Sequence, residues 1–163
     1  MIIRPLTAED WPAVEEIYLA GIATGNATFE TEAPTWERWH ATHHEFVRLI
    51  ATDGTTTLGW AALSPVSTRK VYAGVAEVSV YVAQEARGQG LGQRLLEALI
   101  AGSEQNGIWT LQASIFPENV ASLKLHDRCG FRKVGRRERI AKRVGVWRDT
   151  ILLERRSAVV GND

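Results

Sequence analysis

The chain has 163 residues, 45% of them hydrophobic, with six tryptophans; that is the size of one domain with a sizeable core, which excludes intrinsic disorder. Nineteen basic and nineteen acidic residues cancel, so net charge argues against nucleic acid or an anionic membrane as partner. A single cysteine, Cys129, excludes an internal disulfide and cysteine-type metal clusters.

The opening Met1-Ile-Ile-Arg-Pro5 has no basic stretch followed by an apolar run, and no segment approaches the ~18 apolar residues of a membrane span. A cytoplasmic protein is expected. Ile2–Leu6 reads as a first strand, and Thr7 caps a helix with Glu9 and Asp10 in its first turn. Val14, Ile17, Tyr18 and Ile22 recur at helical spacing and predict one buried face. Gly21 and Gly25 end this helix and open a loop carrying Asn26, Phe29 and Glu30. Thr35 starts a second helix, with Trp36 and Trp39 on one face. Its neighbours His40, His43 and His44 read as surface residues. His40 and His44, four apart, have zinc-ligand spacing but no further ligand nearby.

Phe46–Thr52 and Thr57–Leu63 are predicted strands around an Asp53-Gly54 turn. Ser64–Gly74 is a polar loop carrying Arg69, Lys70 and Tyr72. Ala76–Val82 is a strand, and Arg87–Gly92 is glycine-rich. A helix follows to about Glu104, with Leu95, Leu96, Leu99 and Ile100 as its apolar stripe. Ile108–Phe116 is the next strand. Pro117-Glu-Asn119 leads into a helix reaching Arg128, closed by Gly130. Phe131–Arg137 and Val144–Leu153 are closing strands. The order predicts one α/β domain over residues 1–155, a mixed six- to seven-stranded sheet with helices on both faces, and a short tail at 156–163. Charge is uneven: residues 1–60 hold three basic and nine acidic side chains, whereas 132–156 hold ten basic and three acidic. Such a basic segment suits either a polyanionic ligand or the solvated face of a hairpin.

The strongest local pattern is the strand Ala76–Val82, four residues, then Arg87-Gly88-Gln89-Gly90-Leu91-Gly92 and a helix. Glycines expose backbone N–H groups, and a helix start adds unpaired N–H groups and a positive dipole end, a combination suited to a pyrophosphate. Arg87 adds a bidentate cation. A nucleoside-triphosphate loop would end Gly-Lys-Ser/Thr, and a dinucleotide fingerprint would need glycine at 93; Gln93 and Arg94 fit neither.

At these residues the chain resembles the GNAT superfamily of acetyltransferases. Arg87–Gly92 matches that superfamily's acetyl-coenzyme A pyrophosphate motif, and Asn119-Val-Ala-Ser122 with Leu125–Phe131 matches its second cofactor segment. More narrowly, Glu77–Val82, His126, Trp147-Arg-Asp149, Ala27–Glu30 and Tyr72 are similar to the phosphinothricin acetyltransferase family. The resemblance runs from about Ile2 to Leu153. It implies a sheet splayed at the cofactor site and an acetyl-coenzyme A-dependent N-acetyltransferase with no metal. It also implies direct attack in a ternary complex, a homodimer, and an amino-acid-like acceptor such as phosphinothricin, methionine sulfoximine or an arsenic analogue such as arsinothricin. The implied cofactor residues are Val80, Tyr81, Val82, Arg87, Gly88, Gln89, Gly90, Leu91, Gly92, Asn119 and Ser122. Some relatives carry an extra arginine near 67 and an aromatic near 74, where this chain has Ser67 and Gly74.

Acetyl transfer to an amine needs a group to take the ammonium proton and a group to serve the leaving thiolate. Glu77 stands in an apolar strand, where a carboxylate is costly unless paired or functional. It is either paired with Arg69 or a neighbouring strand, or it is the base that the resemblance implies. His126 occupies the position at which many of these enzymes carry a tyrosine acid, and imidazole titrates near neutrality. Cys129 lies three residues on, which makes an acyl-enzyme conceivable, but free cysteine mostly packs as a small hydrophobe. Phe29, Glu30, Arg69, Tyr72, Glu77 and Val78 are the expected acceptor pocket, arginine being suited to clamp a carboxylate. A protein or peptide N-acetyltransferase and a non-catalytic acyl-coenzyme A-binding module are the competing functions. The second would be favoured by loss of Glu77 and His126, and both are present.

Overall fold

The computed structural model describes residues 1–163. Seven strands form one sheet: β1 (Ile2–Pro5), β2 (Leu49–Thr52), β3 (Thr57–Pro65), β4 (Val75–Val82), β5 (Thr110–Ile115), β6 (Arg132–Arg143) and β7 (Val146–Arg156). Their spatial order is β1-β2-β3-β4-β5-β7-β6. All neighbours are antiparallel except β4 and β5, which run parallel. Four helices complete the α/β fold: α1 (Trp11–Ala23), α2 (Trp36–Thr42), α3 (Leu91–Gln105) and α4 (Val120–Arg128).

Side-chain alternation gives the sheet two apolar faces. On one, Leu95, Leu96 and Leu99 of α3 are fully buried against Leu63, Val78, Leu111 and Leu153. Truncating any one of these leucines to alanine costs about 2–5 kcal/mol. On the other, Val14 and Ile17 of α1 meet Trp39, Ile50 and Trp60. Tyr81, from the opposite face of β4 to Val78, stacks between Tyr18 (5.1 Å) and Trp60 (4.8 Å).

Three boundaries differ from the sequence expectation. The strand expected from Phe46 begins only at Leu49, because Val47 takes φ of 53°, outside the extended region. A 3₁₀ turn, Ala8–Asp10, stands between Thr7 and α1; Asp10 accepts a hydrogen bond from the Thr7 N–H at 2.8 Å and pairs with Arg4. The closing strands run longer than expected. β6 is an exposed edge strand rich in basic residues, its Val134 and Ile140 are themselves exposed, and its pairing with β7 shifts register twice. Beyond β7 the chain folds back. The Ser157 hydroxyl donates to Glu104 at 3.0 Å, and the Ser157 N–H donates to the Trp109 carbonyl at 2.8 Å.

The parallel pair positions the site. β4 and β5 are in register only from Val75↔Thr110 to Glu77↔Gln112, while β4 stays paired with β3 as far as Val82. Past Glu77 the two strands part. Alternate backbone groups of residues 78–82 therefore lose a sheet partner on the β5 side.

Candidate active site

The gap between β4 and β5 opens into a cavity of about 700 Å³ lined by both strands, α4 and the segment after α1. Glu77 and His126 both face it, with Phe29, Val78, Val80, Tyr81, Val82, Arg87, Asn119 and Ser122.

Glu77 projects from the last paired position of β4 and accepts from Gln112 Nε2 at 3.3 Å and Ser114 Oγ at 3.5 Å. Both partners are neutral and both contacts are long, so the carboxylate keeps acceptor capacity for a ligand. The pairing with Arg69 does not occur: that guanidinium lies 5.4 Å over the ring of Tyr72.

His126 is 5% exposed. Its Nδ1 lies 2.8 Å from the Ser122 carbonyl, one helical turn back, and its ring meets Phe131 edge-on at 5.0 Å. A carbonyl only accepts, so Nδ1 carries the hydrogen and, in the neutral ring, Nε2 is bare. Burial pushes the His126 pKa below the ordinary 6.5, with the Ser122 carbonyl opposing in part. The neutral ring therefore offers a proton acceptor at Nε2 toward the cavity.

At the α3 end, Gly88 and Gly90 take φ of 74° and 76°, and a Cβ at either would meet nothing within 4 Å. The left-handed backbone, not crowding within the protein, requires glycine there. At Gly92 a Cβ would come within 3.2 Å of Leu125, so this glycine lets α3 approach α4. Leu91 is buried in the core, and Gln89 donates to the Glu85 carbonyl at 3.3 Å. None of Gly88, Gln89, Gly90, Leu91 and Gly92 lines the cavity itself; the stretch stands beside it next to Arg87. Arg87 donates to the Val82 carbonyl at 3.4 Å and reaches the cavity wall. Asn119 caps α4 by accepting from the Ser122 N–H at 3.2 Å. An open cradle of positive-φ glycines at a helix start, an arginine beside it and a splayed strand pair leading inward fit a coenzyme with a pyrophosphate and an extended acyl arm.

Glu30, Arg69 and Tyr72 do not line the cavity. Sequence reading missed Thr24, Asn26 and Thr28, which do, as well as Ser114, Phe116 and Thr150. The alternation Thr110-Leu-Gln-Ala-Ser114 carries a period-two signal for the β5 residues. The aromatic that some relatives carry near 74 has no room here, since a Cβ on Gly74 would lie 2.0 Å from the Trp109 ring. Cys129 is buried in the α3 core, its thiol pushed up by burial, and is not on the cavity wall. His43 is no surface residue: it stacks on Trp39 at 4.3 Å. His40 bonds to Arg48 at 2.7 Å, and no three metal-ligating side chains come together.

A sheet splayed between two parallel strands, a glycine cradle at a helix start, and a carboxylate and a buried imidazole lining one cavity suit an acyl-coenzyme A-dependent transferase. Residues 7–131 match the Acetyltransferase (GNAT) family, and the chain belongs to it. It is 35% identical over 160 residues to a phosphinothricin N-acetyltransferase of Alcaligenes faecalis, covering 94% of this chain and 81% of that one. It is 32% identical to an L-methionine sulfoximine/L-methionine sulfone acetyltransferase of Pseudomonas aeruginosa, covering 93% and 92%. A crystal structure of a phosphinothricin acetyltransferase from Sinorhizobium meliloti in complex with acetyl-coenzyme A superposes with a TM-score of 0.90 at 26% identity, covering 99% and 91%. The protein is an acetyl-coenzyme A-dependent N-acetyltransferase. No helix is long and apolar enough to cross a membrane.

Proposed function

We propose that this enzyme acetylates the α-amine of a small amino-acid-like molecule of the phosphinothricin, methionine sulfoximine or arsinothricin type, by direct attack in a ternary complex. The observation that carries the reading is the single cavity in which Glu77 and His126 face one space walled by Phe29 and Phe116. A cavity of about 700 Å³ walled by two strands, α4 and residues 24–29 suits a compact acceptor better than a peptide in an open groove.

Acetyl-coenzyme A, when bound, supplies an activated acyl thioester. Two protons must leave an ammonium nitrogen before it becomes an amide N–H, and the cavity offers two acceptors. The Glu77 carboxylate takes the first, directly or through a water. The bare Nε2 of His126 takes the second, and the imidazolium so formed is then a donor to the leaving group, as Nδ1–H stays fixed on the Ser122 carbonyl. Unpaired N–H groups of residues 78–82 are suited to bind the developing oxyanion.

The proposal includes a cytoplasmic homodimer, in keeping with the family resemblance; the exposed Val144, Val146 and Trp147 of the β6–β7 hairpin offer apolar surface for it. The deciding experiment is thiol release from acetyl-coenzyme A across a panel of amino acids and N-terminal peptides. Turnover confined to small amino acids supports the reading. Turnover confined to peptides would replace it with a protein N-acetyltransferase.

A further inference from the structure

The cavity wall formed by residues 24–29 has no regular secondary structure, yet it carries Thr24, Asn26, Ala27, Thr28 and Phe29 into the site. Its own hydrogen bonds are short-range, such as the Asn26 N–H to the Thr24 hydroxyl at 3.2 Å. One longer tie is the Asn119 amide, which donates to the Asn26 carbonyl at 3.2 Å; the others come from the far end of the chain. Arg148 Nη1 donates to the Gly25 carbonyl at 2.9 Å, and its Nη2 donates to Asn26 Oδ1 at 2.8 Å. Arg143 Nε donates to the Thr28 carbonyl at 3.2 Å, and its Nη2 donates to the Ile22 carbonyl at 3.0 Å. These arginine contacts span more than 110 residues of sequence.

Arg148 also ties this wall to the opposite rim. Its guanidinium lies 4.0 Å from the Phe116 ring centre and donates to Glu118 at 3.3 Å. Phe116 in turn meets Phe29 edge-on at 4.9 Å. One planar fork thus binds a main-chain carbonyl, a side-chain amide and a carboxylate, and covers an aromatic face that itself packs on the acceptor-side wall. Lysine has the charge but not the fork. Arg148 does not line the cavity, so it acts through the residues it holds.

We propose that Arg148, assisted by Arg143, is a positioning residue that locks segment 24–29 against Phe116 and so sets the acceptor-side wall of the cavity. The kinetic part rests on the acceptor reading above; the structural part does not. The test compares Arg148→Ala and Arg148→Lys with the wild type in three measurements. In hydrogen exchange, amides of residues 26–30 should exchange at least ~10-fold faster in Arg148→Ala while α3 is unchanged, as for a segment that has lost its ties. In kinetics, kcat/KM for the amine acceptor should fall about 10- to 100-fold, chiefly through KM, the range for loss of charge-assisted hydrogen bonds. In calorimetry, affinity for acetyl-coenzyme A should stay within about twofold. Arg148→Lys should recover part of the loss, and it carries the same readouts if the alanine variant does not fold. Unchanged exchange in residues 26–30 overturns the proposal, as does an equal rise in α3, which would mark a general structural role. Should the wild type acetylate no amino acid, the acceptor reading fails, and the exchange data alone still decide whether Arg148 holds the wall.

Discussion

The proton state of His126 makes a prediction in which a base and an acid differ in sign. With a folded pKa below 6.5, the ring is charged in fewer than about one molecule in four at pH 7, and each further pH unit thins that fraction tenfold. If the resting enzyme needs neutral His126, kcat/KM for the acceptor must fall as pH drops through that lowered pKa. If it needs the imidazolium, kcat/KM must fall as pH rises through the same value. Because Glu77 takes the first proton from the bound ammonium, the amine's own titration adds no rising limb below the amine pKa. The expected log profile at saturating acetyl-coenzyme A is therefore level between about pH 6.5 and the amine pKa and bends toward unit slope below the His126 pKa. His126→Ala should lose about 10²–10⁴-fold and show no bend at that pKa. A wild-type profile parallel to the variant down to pH 5 would remove His126 from the proton path. A wild-type profile that falls as pH rises above pH 6.5, where the variant stays level, would assign His126 the acid role.

Glu77→Gln should lower turnover within the same ~10²–10⁴-fold range while leaving acetyl-coenzyme A affinity nearly unchanged, and the deficit should shrink toward pH 9.5 as free amine accumulates; a constant deficit across pH would return Glu77 to a structural role beside Gln112. Gly90→Val should cost about 1–2 kcal/mol of stability from its left-handed φ alone, since a Cβ there meets nothing, yet weaken acetyl-coenzyme A at least ~10-fold by calorimetry. Unchanged affinity in that folded variant would move the pyrophosphate elsewhere. Cys129→Ala should lose about 1 kcal/mol, or roughly 2–4 °C in Tm, and keep most of its turnover. An acetylated Cys129 that passes its acetyl group on would contradict direct transfer.

The geometry of the proposed cofactor half was legible because it is local. Arg87–Gly92 reads as a cradle since the strand, the positive-φ glycines and the helix start are consecutive, and Asn119 reads as a cap because it bonds three residues ahead. Glu77 stood out as a carboxylate in an apolar strand, and the parity that set it opposite Val78 is the parity of the folded strand. The acceptor half was only partly legible, because its walls are assembled from distant segments. Arg69 and Tyr72 looked like pocket residues by type, but they satisfy each other in a cation–π pair outside the cavity. Arg148 was seen only as part of a family-like triplet, and nothing in the neighbouring residues reports that its fork reaches Gly25 and Asn26.

The same contrast bears on how the enzyme divides cofactor binding from acceptor choice. The cofactor cradle depends on main-chain geometry and one helix start, which tolerate change in most side chains around them. The acceptor wall instead hangs from the β6–β7 hairpin, whose edge strand carries two register shifts and positive φ at Arg139. Asn119 belongs to both halves: its carbonyl oxygen caps α4, the helix that carries His126, and its amide nitrogen donates to the Asn26 main chain at 3.2 Å. Any movement of the acceptor wall therefore pulls on the cap of the helix that presents the imidazole. Substrate preference can then drift through the hairpin while the glycine cradle stays intact, and the Asn119 amide, which serves both sides, limits that drift.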